Sequence, residues 1–261
     1  MPRANRYFFD RCSLHGSTSS IHGVVPGHVW HISHRCHKKE FLLKFAKDRE
    51  CWIHWLFEAR KRYGLCVLNY MVTSNHIHLL VKDTGNNVIP KSMQLIAGRT
   101  AQTYNQRKNR KGAFWEDRYH ATAVQTDEHF IRCLVYIDLN MVRAGVVRHP
   151  QNWPHCGYHE IQQPPTRYRI IDQPSLLELC HIRSLTALPP LHREWVSEEL
   201  KRDKAKFRDQ RWTQGLAVGQ REYIETVQNE LGTRASKREC IELDEGYELR
   251  ETPGLYVPFV G

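Results

Sequence analysis

TSNHIHLLVKD, residues 73–83, sets two histidines two positions apart inside an apolar run. Successive side chains of a strand point to opposite faces, so Ile77, Leu79 and Val81 share one face while His76, His78 and Leu80 share the other. The aliphatic set suits burial against helices. The imidazoles then stand side by side on a rigid element, which fixes two nitrogen donors for a divalent metal without loop-ordering entropy. Two half-exposed histidines in an ordinary strand give the same pattern, so a third ligand and a reacting group must decide between the readings.

Working outward, CVLNYMVT (66–73) is a second strand, joined to the first by the turn-compatible pair Ser74-Asn75. Upstream, HVWHISHRC (28–36) alternates as a strand. EFLLKFAKDRECWIHWLFEARKRY (40–63) carries Phe41, Leu42, Phe45, Cys51, Trp52, Trp55 and Leu56 at mostly helical spacing, and Gly64 ends it. Downstream, a helix starting at Pro90 runs into the basic loop NQRKNRKG, and AFWEDRYHATAVQ (113–125) is strand-like. Thr126 or Asp127 then caps a third helix, DEHFIRCLVYIDLNMVRA, which Gly145 stops. Strand, helix, strand, strand, helix, strand is the ferredoxin-like split βαβ pattern, an α+β antiparallel sheet, here with an added helix.

That added helix supplies the missing groups. At 100° per residue His129, Arg132, Tyr136, Asn140 and Arg143 fall within a wedge of ~80°, with Phe130, Leu134, Ile137 and Met141 opposite. Tyr136 and Asn140 are one turn apart, roughly 6 Å along the axis. If this face lies over the histidine face, a His, His, Asn site forms beside a tyrosine. Such nitrogen and oxygen donors with open positions suit Mg²⁺ or Mn²⁺ bound alongside a phosphate.

The chain has 261 residues, 41% of them hydrophobic, enough for one catalytic domain and an appendage. It has no long uncharged apolar run and no secretory start, which predicts a cytoplasmic protein without membrane contact. A formal charge of +10 favours a polyanionic partner, nucleic acid first. The eight cysteines are scattered without a C-x-x-C pair, as reduced thiols are.

NYMVTSNHIHLLVKD, GAFWEDRYHATAV and CLVYIDLNMVRAGVV, in that order, resemble the REP-associated tyrosine transposases, relatives of the insertion-sequence single-strand transposases within the HUH endonuclease superfamily. PGHVWHISHR (26–35) is similar to the family's first strand. The resemblance spans roughly residues 25–158. It departs at FDRCSLHGSTSSIHGVV, which intervenes where the family usually passes almost directly from the basic start to the first strand. It implies a metal-dependent enzyme that cleaves and rejoins single-stranded DNA, with REP-like hairpins as partners. Tyr136 would be the nucleophile forming a 5′-phosphotyrosine, and His76, His78 and Asn140 the ligands of Mg²⁺ or Mn²⁺.

Arg99, Arg107, Lys108, Arg110 and Lys111 are candidate phosphate contacts, and Arg118 and Arg143 flank the motif elements. Trp115 and Tyr119 are candidates for stacking on bases, though core packing is commoner. The sequence divides into a basic segment (1–24), a catalytic domain (25–158) and a helical accessory region (159–261). After the linker-like QQPPTRYR this last region shows two amphipathic helices, around 190–210 and 219–231. Trp195, Phe207 and Trp212 are placed to pack on the catalytic domain or extend the DNA grip. Monomer and homodimer both remain open.

Three rival readings follow from the same residues. A non-catalytic nucleic-acid binder could keep the scaffold. A histidine-triad hydrolase would need another histidine or glutamine where Leu80 stands. Replication initiators and relaxases share the two-histidine motif in larger chains.

Overall fold

The computed structural model describes residues 27–202, 209–236 and 238–251. The N-terminal segment 1–24 and Phe207 lie outside them. The strands are β1 (Val29–Arg35), β2 (Cys66–Val72), β3 (His76–Lys82), β4 (His120–Val124), β5 (Ala217–Gly219), β6 (Arg238–Leu243) and β7 (Gly246–Glu251). The longer helices are α1 (Ala46–Tyr63), α2 (Val88–Arg107), α3 (Glu128–Asp138), α7 (Leu188–Lys201) and α9 (Arg221–Leu231). Short ones are α4 (Asn140–Arg143), α5 (Tyr158–Gln162), α6 (Gln173–Leu179) and α8 (Arg211–Gln214). None of the described helices is long and apolar enough to cross a membrane.

The first four strands pair in the order β2-β3-β1-β4, all antiparallel, as the split βαβ pattern requires. Strand β1 is central: Ser33 stands opposite His78 on one side and His120 on the other. Cross-strand partners share a face, so His31, Ser33, His76, His78, His120 and Thr122 all lie on one face of the sheet. Trp30, Ile32, Ile77, Leu79 and Val81 fill the other, fully buried. Helices α1 and α2 pack against each other and add Trp52, Leu56, Ile89 and Ile96 to this core. Gly64, at φ 72°, closes α1 in the left-handed conformation expected of a helix-ending glycine.

Helix α3 crosses the histidine face. Asn69, which pairs with Leu80 and so belongs to that face, donates its amide to Leu134 O at 3.2 Å and to Asp138 Oδ1 at 3.0 Å. The helix breaks at Leu139 and resumes as α4, yet Arg143 N–H still reaches Leu139 O, so the one-turn spacing survives. Asp127 precedes α3 at φ 69° without capping it. Its carboxylate is instead 2.6 Å from His181 Nε2.

Helix α9 is where the amphipathic pattern puts it, and α7 is shorter than expected, ending at Lys201 with Arg202 extended; the region is not helical throughout, for three strands join these helices. Strand β5 pairs parallel with β4, and the β6–β7 hairpin pairs antiparallel with β5, extending the order to β2-β3-β1-β4-β5-β7-β6. The sheet therefore runs on across the boundary expected at 158–159.

Candidate active site

Tyr136 and Asn140, carried by α3 and α4, meet the histidines of β3. The Tyr136 ring centroid is 6.0 Å from that of His78, and the Asn140 amide nitrogen donates to His78 Nε2 at 2.9 Å. His76 and His78 stand edge to face with centroids 5.0 Å apart. His76 Nδ1 is held by Asn75 Oδ1 at 2.8 Å and Thr73 Oγ1 at 3.0 Å, both from the turn that precedes it. The Asn140 amide thus meets His78, with His76 beside it, and the position between His78 Nε2 and Asn140 is where the amide hydrogen now sits. That donor set fits one divalent cation once the amide presents its oxygen. Among the described residues no group of three or more His, Cys, Asp or Glu side chains offers a rival metal site.

Further groups surround the phenol, and sequence reasoning passed over one of them, His31. His31 of β1 stacks on His78 and has its centroid 6.1 Å from Tyr136. Burial pushes its imidazole down to about 3, so the ring is neutral. Trp212 of α8 lies 6.0 Å from the Tyr136 ring. The Arg143 guanidinium sits over the Tyr136 ring at 3.9 Å and also donates to the Tyr136 carbonyl. Tyr136 is only 7% exposed beneath these groups. The signal for His31 was available: in VWHIS it alternates with Trp30 and Ile32, the period that exposed His76 and His78.

A cavity of about 350 Å³ opens beside the metal-type residues. Arg35, His76, His78, Glu116, Arg118 and His120 are among its walls. Arg118 is therefore near the histidines, and Arg143 is over Tyr136. Arg99 and Arg107 are elsewhere: they belong to α2, on the aliphatic side of the sheet. Arg99 lies over the Trp55 ring at 5.3 Å, and Arg107 is paired with the buried Asp48. Lys108, Arg110 and Lys111 follow α2, where Arg110 reaches Glu40 at 3.7 Å.

The amino-terminal half of the expected polar face of α3 goes elsewhere. His129 is buried against Gly246 of the C-terminal hairpin, with neither ring nitrogen hydrogen-bonded. Arg132 pairs with Glu128 and, at 2.8 Å, with Glu245. Trp115, stacked on His34 at 4.1 Å, donates its indole N–H to Ala97 O, which makes it a packing residue. Trp195 likewise packs against the core, 6.4 Å from the buried His192.

Residues 25–140 match the model of the IS200-like transposase family. Among solved structures, the chain is similar to a REP-associated tyrosine transposase bound to a REP hairpin, at a TM-score of 0.48 and 14% identity, over 60% of this chain and 94% of that one. A second similarity is to a Deinococcus radiodurans R1 protein described as a transposase, at a TM-score of 0.33 and 18% identity, over 44% and 92%. No curated protein matches.

Proposed function

We propose that this chain, whose residues 25–140 match the model of the IS200-like transposase family, is a metal-dependent single-strand DNA transposase that cleaves and rejoins DNA through a phosphotyrosine, at REP-type hairpins. One observation carries the reading: the phenol ring of Tyr136 lies beside His78, whose Nε2 meets Asn140. Nucleophile and ligands come from one chain, which supports action of Tyr136 within its own subunit.

In this mechanism Tyr136 Oη attacks the scissile phosphorus in line, forming a P–O bond as the bond to the 3′-oxygen breaks. The phenolic proton leaves and the departing 3′-oxygen gains one, giving a 5′-phosphotyrosine and a free 3′-OH. His76, His78 and Asn140 would hold a divalent cation, which when bound would supply Lewis-acid stabilisation of charge on the phosphate oxygens. The Arg143 guanidinium, stacked on the phenol ring, sets a positive charge beside the nucleophile and the phosphate it would attack. Since the intermediate retains a phosphate ester, a 3′-OH can reverse the step and join strands. The catalytic unit is residues 25–158, the strands from the C-terminal region bracing it, and the setting is the cytoplasm where the DNA lies.

Incubation of the protein with a labelled single-stranded hairpin and Mn²⁺ should give an adduct that survives denaturation, lost in Tyr136→Phe. A second reading is favoured by the burial of Tyr136 under Trp212 and Arg143: a hairpin-binding protein without the reaction. It predicts hairpin binding equal in wild type and Tyr136→Phe and no adduct from either.

A further inference from the structure

Helical spacing places Phe41 and Phe45 among the core residues of the first helix, and the structure does the opposite. Helix α1 starts at Ala46, and the two rings stand 65% and 56% exposed on the loop joining β1 to α1. Buried Leu42 and Leu43 anchor that loop from beneath. Large apolar side chains exposed together on a rigid loop mark a surface built to meet something.

The surroundings say what. Lys38 and Lys39 are exposed at the start of the loop, at φ 50° and 60°, a left-handed conformation that side-chain-bearing residues seldom hold. The ammonium groups of Lys44 and Lys108 lie 6.0 and 5.2 Å from the Phe45 ring centroid. The acids next to the patch are already matched, Glu40 by Arg110 and Asp48 by Arg107. Two aromatic faces in a field of lysines suit unpaired bases on a phosphate backbone, since any base can stack and any phosphate can pair. A second copy of the chain suits it less: lysine is depleted in protein interfaces, and self-contact would bring like charges together.

Position links the patch to the site. Cys36 N–H donates to Asn75 O at 2.8 Å, Leu43 N–H to Ser74 O at 2.9 Å, and the Asn75 amide to Lys39 O at 3.1 Å. The loop is thereby laced to the turn just before His76. Arg35, which lines the cavity and stands opposite His76, immediately precedes it.

We propose that Phe41 and Phe45, with Lys38, Lys39, Lys44 and Lys108, form a stacking subsite for unpaired bases of the DNA strand that adjoins the active-site cavity. The assignment rests on the reading of the chain as a single-strand DNA enzyme and adds where the flanking strand runs.

Fluorescence anisotropy of a labelled oligothymidine on the full chain, over a range of salt concentrations, tests it. Phe41→Ala and Phe45→Ala should each weaken binding about tenfold, with the salt slope unchanged because stacking releases no counterions. Lys44→Ala with Lys108→Ala should instead flatten that slope. Tyr168→Ala, at an aromatic 77% exposed in the linker beyond α5, should leave binding unchanged. Both phenylalanines are exposed, so an unaltered melting temperature in the variants separates lost contact from lost fold. Wild-type affinity in the double phenylalanine variant overturns the proposal, as does a wild type that does not bind oligothymidine. A dimer in sedimentation velocity that only the phenylalanine variants dissolve assigns the patch to self-association and overturns it too. The hairpin adduct assay fails separately: no adduct, with phenylalanine-dependent binding intact, removes the catalytic reading and supports the subsite.

Discussion

His31 Nε2 lies 2.9 Å from His78 Nδ1, the two rings stacked with 14° between their planes. On its other side His31 Nδ1 is 2.7 Å from the carbonyl oxygen of Trp212. A carbonyl only accepts, so the neutral His31 ring donates there and its Nε2 accepts. His78 must then donate from Nδ1, which leaves its lone pair on Nε2, the atom that meets Asn140. The bonded chain from Trp212 through His31 thus sets the tautomer in which His78 can ligate a cation.

Replacing His31 by alanine should lower Mn²⁺ affinity by about 10- to 100-fold, the usual effect of losing a partner that orients a ligand. Calorimetric titration of the DNA-free protein measures it. In the metal-free wild type, ¹⁵N chemical shifts should show His78 protonated at Nδ1. Protonation at Nε2 instead would contradict the bonded chain.

Stability should fall with acid. Burial holds His31 down at about 3 and His34 at about 4, against 6.5 for the free side chain. His120 and His129 are lowered in the same way. Between 6.5 and those values the unfolded chain binds protons that the folded one refuses, so stability rises with pH across that window and levels off above it. Buried Glu160, whose carboxyl is raised, acts in the opposite sense from its ordinary value upward, against four lowered histidines. The urea midpoint at pH 5 should therefore lie well below that at pH 7.5; equal midpoints would show that these rings accept protons in the folded state.

Much of this was legible in the sequence, for reasons that are local. The alternation of His76 and His78 and the one-turn spacing of Tyr136 and Asn140 are set within single elements. Phe41 and Phe45 misled because they continue the helical period, whereas the chain here is bent by Lys38 and Lys39 and tied to Ser74 and Asn75. Strand β5 is three residues long and exists only through its pairing with β4 and β7, some 90 and 30 positions away. Such partners leave no periodic trace. Trp212 reaches the site through the same long-range closure.

Asp138 and His192 form a wholly buried pair, 2.7 Å apart, between α3 and α7. Asn69 donates to the other carboxylate oxygen at 3.0 Å, and Gln162 lies 2.8 Å from His192 Nδ1. Removing one partner strands the other without water, a loss of about 3–5 kcal/mol. His192→Ala should show that loss in urea unfolding, although His192 lies in the C-terminal region. A change under 1 kcal/mol would mean that the carboxylate finds water.

Arg143 gives the sharpest separation of binding from chemistry. Its guanidinium covers the Tyr136 ring and donates to the Tyr136 carbonyl, so it acts on the proposed nucleophile and its backbone together. A cation over an aromatic face, largely out of water, contributes about 1–2 kcal/mol. Arg143→Ala should therefore slow single-turnover adduct formation by about tenfold, while hairpin affinity drops by no more than one phosphate contact would allow. Lysine should restore charge but not the planar stack, and so recover only part of the rate. Equal losses in affinity and rate across the alanine and lysine variants would place Arg143 on the DNA backbone and leave Tyr136 without its cationic neighbour in the reacting complex.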